Sequence, residues 1–393
     1  MDIERKIEVL GRGAQYDLCG SCFSTGPEAK RKRSALDRWI YPAVLPDGRH
    51  IMLLKVLMSN VCENDCAYCA NRCSRDYERV EFTPDELSRL FVWLYQRGLV
   101  KGLFLSSAVS GSTDRCMSRM IAAVEQLRYR YGFRGYIHLK VLPGASRSSV
   151  ERAVTLATRV SVNLEAPTQK HLVRIASQKE FDQLIGPMGW IRELKEEGRV
   201  AKAGQTTQFV VGAAGESDRE IVTTTNWLYR KMDLARVYYS AFQPIVDTPL
   251  ENHPPTPLMR EHRLYQADFL LRKYGFSAEE ICFDAGGQLP LKADPKMVWA
   301  CSHPERFPVE VNRAPQEELL RVPGIGPVSA RRIVRVRSQH TLSSLEDLKR
   351  LGAVTRWAAP FILFNGRRPP DSTTGGQLTL WDQVDEHTPF IAP

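Results

Sequence analysis

The 393-residue sequence lacks any apolar run near the roughly 20 residues that a membrane-spanning helix requires. Its longest candidate, "IMLLKVLM" at 51–58, is far too short. The first residues, "MDIERKIEVLGRG", mix both signs of charge and hold no apolar core of a secretory signal. No internal repeat is present. These absences predict a cytoplasmic protein with no membrane partner. Cysteine is sparse too, nine in all and none after Cys301. In a reducing compartment, closely spaced cysteines are metal ligands or redox groups more often than disulfides.

What is present is ordinary for a large globular chain: 43% hydrophobic and 25% charged residues. The net charge of +9 is unevenly spread. Between 303 and 370 there are twelve Lys/Arg against six Asp/Glu, so +6 of the +9 sits in that piece and points to a polyanionic partner.

From about residue 50, short β-rich runs alternate with amphipathic helices. The strand candidates are 50–58, 102–109, 135–142, 159–165, 207–212 and 236–242, each apolar and bounded by Gly, Pro or polar residues. The clearest helix opens at "TPDE", with Thr83 as N-cap, Pro84 in the first turn, Glu86 closing a capping box and Gly98 stopping it. Six strand–helix units in series predict a parallel α/β sheet, open or closed into a barrel. Residues 1–46 form an N-terminal extension with "CGSC" (19–22) and "KRKR" (30–33). A barrel over 47–282 is expected to lead, through a Gly- and Pro-rich connector at 283–310, to a small all-α domain at 311–365. A disordered tail at 366–393 completes the expected organisation.

Residues 62–69 read "CENDCAYC", directly after the first strand. Parallel α/β folds place their sites at that strand edge. Thiolates are soft ligands, and three of them could hold a [4Fe–4S] cluster with one iron left open. The alternatives are a zinc knuckle, or a four-cysteine electron-transfer cluster completed by Cys73. Cys-x3-Cys-x2-Cys with an aromatic residue before the last cysteine resembles the radical S-adenosylmethionine (radical SAM) family, over roughly residues 50–250.

That resemblance implies a partial (β/α)6 TIM-like barrel, with a [4Fe–4S] cluster on Cys62, Cys66 and Cys69. It implies S-adenosyl-L-methionine as second cofactor, a 5′-deoxyadenosyl radical made from it, and an electron donor such as flavodoxin or ferredoxin. It also carries cofactor contacts onto Tyr68, onto Ser106 and Ser107 at the second-strand edge, onto Asn163 and Glu165 in "VNLE", and onto Val211 in "VVGAAGE". The Gly-Gly-Glu edge usual in the family is absent at Ser106–Ser107. Of the other cysteines, Cys19 and Cys22 could form a redox pair or join Cys282 and Cys301 in a second metal site, or all four could be unlinked thiols. Cys116 reads as a buried structural thiol.

"LLRVPGIGPVSARRIV" (319–334) places a tight glycine turn between two helices. Gly324, Ile325 and Gly326, with the next helix N-terminus, form an anion site, and Arg331, Arg332, Arg335 and Arg337 add charge behind it. The stretch resembles the helix–hairpin–helix motif, which grips duplex DNA phosphates without reading sequence; a weaker second copy falls at 343–362. The two halves together resemble DNA modification or repair radical SAM proteins with a C-terminal helix–hairpin–helix domain. Rival readings are radical chemistry on RNA, an iron–sulfur DNA glycosylase, in which the cluster cysteines follow the hairpin whereas this sequence has none beyond Cys301, and a non-catalytic iron–sulfur DNA-binding protein. In the tail, Gln377, Leu378, Leu380 and Trp381 resemble the peptide that replication and repair proteins present to the sliding clamp.

Overall fold

The computed structural model describes residues 2–15, 39–44, 50–199 and 201–370. The sequence motifs at 19–22, 30–33 and 376–382 lie outside these residues. The chain divides into two compact units, one of residues 1–216 and 227–256, the other of 217–226 and 257–393.

The first unit is built on one seven-stranded sheet. Its strands are β1 (Ile40–Val44), β2 (His50–Leu57), β3 (Gly102–Ser106), β4 (Tyr136–Lys140), β5 (Arg159–Ser161), β6 (Gln205–Val211) and β7 (Arg236–Ala241), and they neighbour one another in sequence order. β2 to β7 are parallel, and β1 is an antiparallel edge strand on β2. This is the curled parallel half-barrel expected of six strand–helix units, and each of the six strand candidates contributes one strand. Helices α1 (Ile3–Ala14), α2 (Pro84–Gln96), α3 (Thr113–Glu125), α4 (Arg147–Leu156), α5 (Gln169–Ile175), α6 (Phe181–Glu196) and α7 (Asp218–Met232) complete the order to this point. α2 begins as its sequence dictates: Thr83 and Glu86 form the reciprocal capping box, and Gly98 leaves the helix at φ +72°.

The register separates two faces. Leu54, Val56, Leu103, Leu105, Ile137, Leu139 and Val160 share one face and are all essentially inaccessible. Burying each such side chain is worth about 1.5–3 kcal/mol. On the same face Gln205 donates to the carbonyls of Met188 and Met232, in α6 and α7, which identifies it as the face the helices cover. The opposite face carries Lys55, Phe104, His138 and Arg159 in one register row. Burial and the charges of Arg159, Lys140 and Lys55 hold the His138 imidazole well below its ordinary pKa.

The second unit contains α8 (Leu258–Lys273), α9 (Pro295–Ser302), α10 (Gln316–Leu319), α11 (Pro327–Arg337), α12 (Leu345–Arg350) and α13 (Thr355–Ala358). Its only pairing of strands among the described residues is a two-residue ladder, β8 (Val309–Glu310) with β9 (Ile362–Leu363), in an otherwise helical module. The stretch 283–310 does more than connect. Asp294 caps α9 by accepting from the N–H groups of Lys296 and Met297. Trp299 is buried, with Phe276 and Phe307 set edge-on to it and His303 stacked on it.

Among the described residues no helix is long and apolar enough to cross a membrane.

Candidate metal centre and nucleic-acid interface

The loop that leaves β2 runs along the C-terminal edge of the sheet. The Met58 N–H donates to Ser106 O and the Ala108 N–H to Ser59 O, which ties the loop root to the end of β3. Beyond it, the Glu63 N–H donates to Val109 O and the Ala67 N–H to Ile175 O. Between these anchors stand Cys62, Cys66 and Cys69, half-buried, buried and half-buried.

Arg79, which the sequence did not single out, organises the same loop. Its guanidinium donates to the carbonyls of Asn60 (2.6 Å), Asn71 (2.9 Å), Arg72 and Arg75 (3.1 Å) while lying 4.1 Å over the Tyr77 ring. Tyr77 donates to Asn71 Oδ1 at 2.6 Å, and the Asn71 N–H points at Cys69 Sγ, 3.4 Å away.

The thiols sense one another. Burial pushes the Cys69 thiol up to about 12, with the Cys66 and Cys62 charges adding to it. Burial also raises Cys66, against the opposing pull of Lys179. Coordination to a cation would reverse this rise for Cys66 and Cys69, since it deprotonates a thiol outright. Among the described residues no three His, Cys, Asp or Glu side chains converge tightly enough for a single metal ion. A zinc knuckle gathers every ligand on one ion, whereas in a [4Fe–4S] cluster each cysteine reaches its own iron. Cys73 is exposed.

Lys179, in the turn between α5 and α6, is the second residue the sequence missed. Its ammonium lies 3.3 Å from Glu165 Oε1 and 3.4 Å from Tyr68 Oη, with about a tenth of the side chain exposed. Burial works against its charge, yet Cys66 and Glu165 more than offset this and raise its pKa. Tyr68, held by burial and by Glu165, is pushed far above the phenol range. Glu165 adopts φ +65°, a left-handed conformation that non-glycine residues rarely take and that functional sites concentrate. Tyr68, Glu165, Lys179 and the cysteines therefore form one group. Nothing in "ASQKE" signals Lys179, since a polar loop lysine reads as solvated.

Ser106 is buried at the end of β3, Ser107 is half-buried beside it, and Asn163 is buried two residues before Glu165. Val211 falls outside the group: its side chain is wholly buried on the helix-covered face, and its carbonyl accepts from the Phe242 N–H and Thr256 Oγ1. Cys116 is only half-buried, its thiol donating to Ser110 O.

In the second unit the turn between α10 and α11 takes the expected hairpin shape. Gly324 has φ +79°, and a Cβ there would meet Val354 O at 2.3 Å, so only glycine fits. Gly326 differs from expectation. It sits at φ −97°, ψ 175°, extended backbone open to any residue, and its constraint is space, because a Cβ would lie 3.3 Å from Tyr274 Oη. The second copy is present as α12, Gly352 at φ +90° and α13, and its Val354 N–H donates to Gly324 O across the two turns. Beneath the hairpin, buried Lys296 donates to Ile325 O at 2.6 Å and lies 4.6 Å over the Tyr274 ring. Arg331, Arg332 and Arg335 are exposed on α11.

The family model of the Radical SAM superfamily matches residues 56–228, and that of the helix-hairpin-helix motif matches residues 306–355. No curated protein matches the chain in sequence. Similar solved structures include HydG, a maturase of the [FeFe]-hydrogenase, with TM-score 0.45 and 14% identity over 55% of this chain and 48% of that one. HydG from Carboxydothermus hydrogenoformans gives 0.44 and 14% over 55% and 50%. Methylornithine synthase (PylB) gives 0.45 and 16% over 55% and 60%. The match spans about half the length of these proteins.

Proposed function

We propose that this chain, which carries a radical SAM domain at residues 56–228 and a helix–hairpin–helix motif at residues 306–355, is an enzyme that modifies or repairs DNA by radical chemistry. The observation that carries the reading is the conjunction of a three-thiol loop at the C-terminal edge of a parallel sheet with a phosphate-gripping hairpin in the same chain. Cys62, Cys66 and Cys69 would hold a [4Fe–4S] cluster, and Tyr68, Ser106, Ser107, Asn163 and Glu165 would border S-adenosylmethionine. When bound, the two cofactors together supply a 5′-deoxyadenosyl radical that takes hydrogen from substrate.

The chain's own residues do the positioning. Arg79 fixes the loop, and Lys179 sets a buried positive charge against thiolates and carboxylate. The Gly324 turn and the N-terminus of α11 offer N–H groups to a phosphate, with Arg331, Arg332 and Arg335 lending charge. Phosphate contacts carry no sequence code, so the hairpin delivers duplex rather than selecting a base.

Anaerobic reconstitution followed by measurement of 5′-deoxyadenosine release with duplex DNA, RNA and no polymer tests this reading. Release stimulated by duplex DNA is expected, lost in Cys66→Ala and kept in Cys73→Ala. Stimulation by RNA alone would move the substrate to RNA, and loss of the cluster in Cys73→Ala would end the open-iron reading.

A further inference from the structure

We propose that the N-terminal edge of the sheet in the first unit is a separate nucleic-acid surface, which takes single-stranded DNA by stacking bases on tyrosine rings. The inference shares with the proposed function only the class of ligand and requires no cluster.

Two acid-free stretches build it. Residues 87–101 contain Arg89, Arg97 and Lys101, and residues 126–135, before β4, contain Arg128, Arg130 and Arg134, with no Asp or Glu in either. The topology brings them together, because the approach to β3 and the approach to β4 are adjacent at one sheet edge. The join is direct: the Tyr95 ring meets Phe133 edge-on at 5.0 Å, and Phe133 also meets Phe91 at 4.8 Å.

α3 does not end in an ordinary cap there. It widens into a π-helical turn over Gln126–Arg130, closed by the Tyr131 N–H donating to Gln126 O. Such turns cluster at functional sites. This one presents Tyr129 with 66% of its surface exposed, next to a half-buried Tyr131; Tyr95 is 42% exposed and Trp93 39%. Arg97 lies 3.8 Å over the Trp93 ring and Arg130 5.4 Å from that of Tyr131.

The charges sort into two sets. Arg128 turns inward to the carbonyls of Leu156, Phe133 and Gly135 and is structural. Arg130 shares Asp85 with Arg89, and Arg152 pairs with Glu125. Exposed Arg134 and Lys101 make no ion pair among the described residues and remain for a ligand.

The Tyr129 ring has the Arg152 guanidinium 5.7 Å from it yet stays two-thirds exposed, and exposed rings in a surface with unpaired cations are the combination that binds single strands, where every base offers a π-face and every phosphate a charge. A duplex keeps its bases stacked on one another and could use only the cations. An acidic peptide would use the cations and leave the rings idle.

The test uses the full-length protein and fluorescence anisotropy with an oligothymidylate of about 16 nucleotides, its abasic counterpart and a duplex of equal length. Tyr129→Ala is exposed enough to leave folding intact. It is expected to weaken oligothymidylate binding about fivefold or more, the low end of one lost stacking contact, with duplex binding unchanged. The abasic strand should bind wild type at least as weakly as oligothymidylate binds the variant. Lys101→Ala with Arg134→Ala should weaken both single strands and flatten their salt dependence. Wild-type oligothymidylate affinity in Tyr129→Ala would overturn the proposal, as would equal losses on strand and duplex, or tighter binding of an oligoaspartate than of oligothymidylate. Gly326→Val separates this result from the hairpin reading: unchanged duplex affinity there would sink the hairpin and leave the Tyr129 outcome standing.

Discussion

Lys179 shows how much of a site can rest on a residue with no sequence signature. Its ammonium is buried against Glu165 and Tyr68 and lies within electrostatic reach of two thiols. A low dielectric makes that charge count. Replacing it with Met removes a cation from beside Cys66 and Cys69, so a reconstituted cluster should become harder to reduce. The expected fall is about 60 mV, the one-electron equivalent of a tenfold change. Redox titration followed by electron paramagnetic resonance measures it, Lys179→Arg should restore most of the difference, and an unchanged potential in Lys179→Met would remove the electrostatic role. The three cysteines stand out in the sequence because ligand chemistry favours both a residue type and a spacing. Lys179 and Arg79 were not, because a basic residue among polar neighbours reads as solvated until tertiary structure closes over it.

At the scale of elements, the hairpin rests on α9. Burial holds the Lys296 ammonium down to about 7 from an ordinary 10.5, with Asp294 opposing the shift and Arg321 adding to it. The sign follows from proton counting. Above the ordinary value, folded and unfolded chains both hold a neutral amine. Between there and about 7 the unfolded chain binds a proton that the folded chain does not, so stability falls as the pH is lowered, and it levels off below. Urea denaturation of wild type should therefore show stability rising from about pH 7 to about pH 10, while Lys296→Met should be flatter over that window. Parallel curves would assign the amine an ordinary pKa. The strands β2 to β7 were legible as apolar runs between turn residues. β1 was hidden by Pro42, which an edge strand tolerates since it need not donate into a ladder. α9 was hidden by the Gly and Pro around it, although Asp294–Pro295 is itself a helix-start signal.

On the scale of the whole molecule, the division of the chain changes what a truncation means. The stretch 283–310 reads in sequence as a place to cut, yet Phe307 packs on both Trp299 and Phe361. A chain ending at Pro304 would keep Trp299 and lose those rings. Its tryptophan emission should shift to the red and its binding of a hydrophobic dye should rise severalfold. An unchanged emission would show the C-terminal module to be separable there. The same module carries most of the net charge, so duplex affinity of the intact protein should depend steeply on salt. With about four phosphates neutralised, affinity should drop about a hundredfold between about 50 and about 200 mM.

The loop that carries the three cysteines is laced by Arg79 through backbone carbonyls on both sides of the thiols, Asn60 before them and Asn71, Arg72 and Arg75 after. A guanidinium, which oxygen does not attack, thus braces the loop with contacts that need no metal ion. In many small metal domains the ion is the keystone, and losing it unfolds the chain. Here an oxidised cluster could fall away and leave its seat standing, so damage in air would be an interruption repaired by new iron and sulfide, with no need to synthesise the protein again.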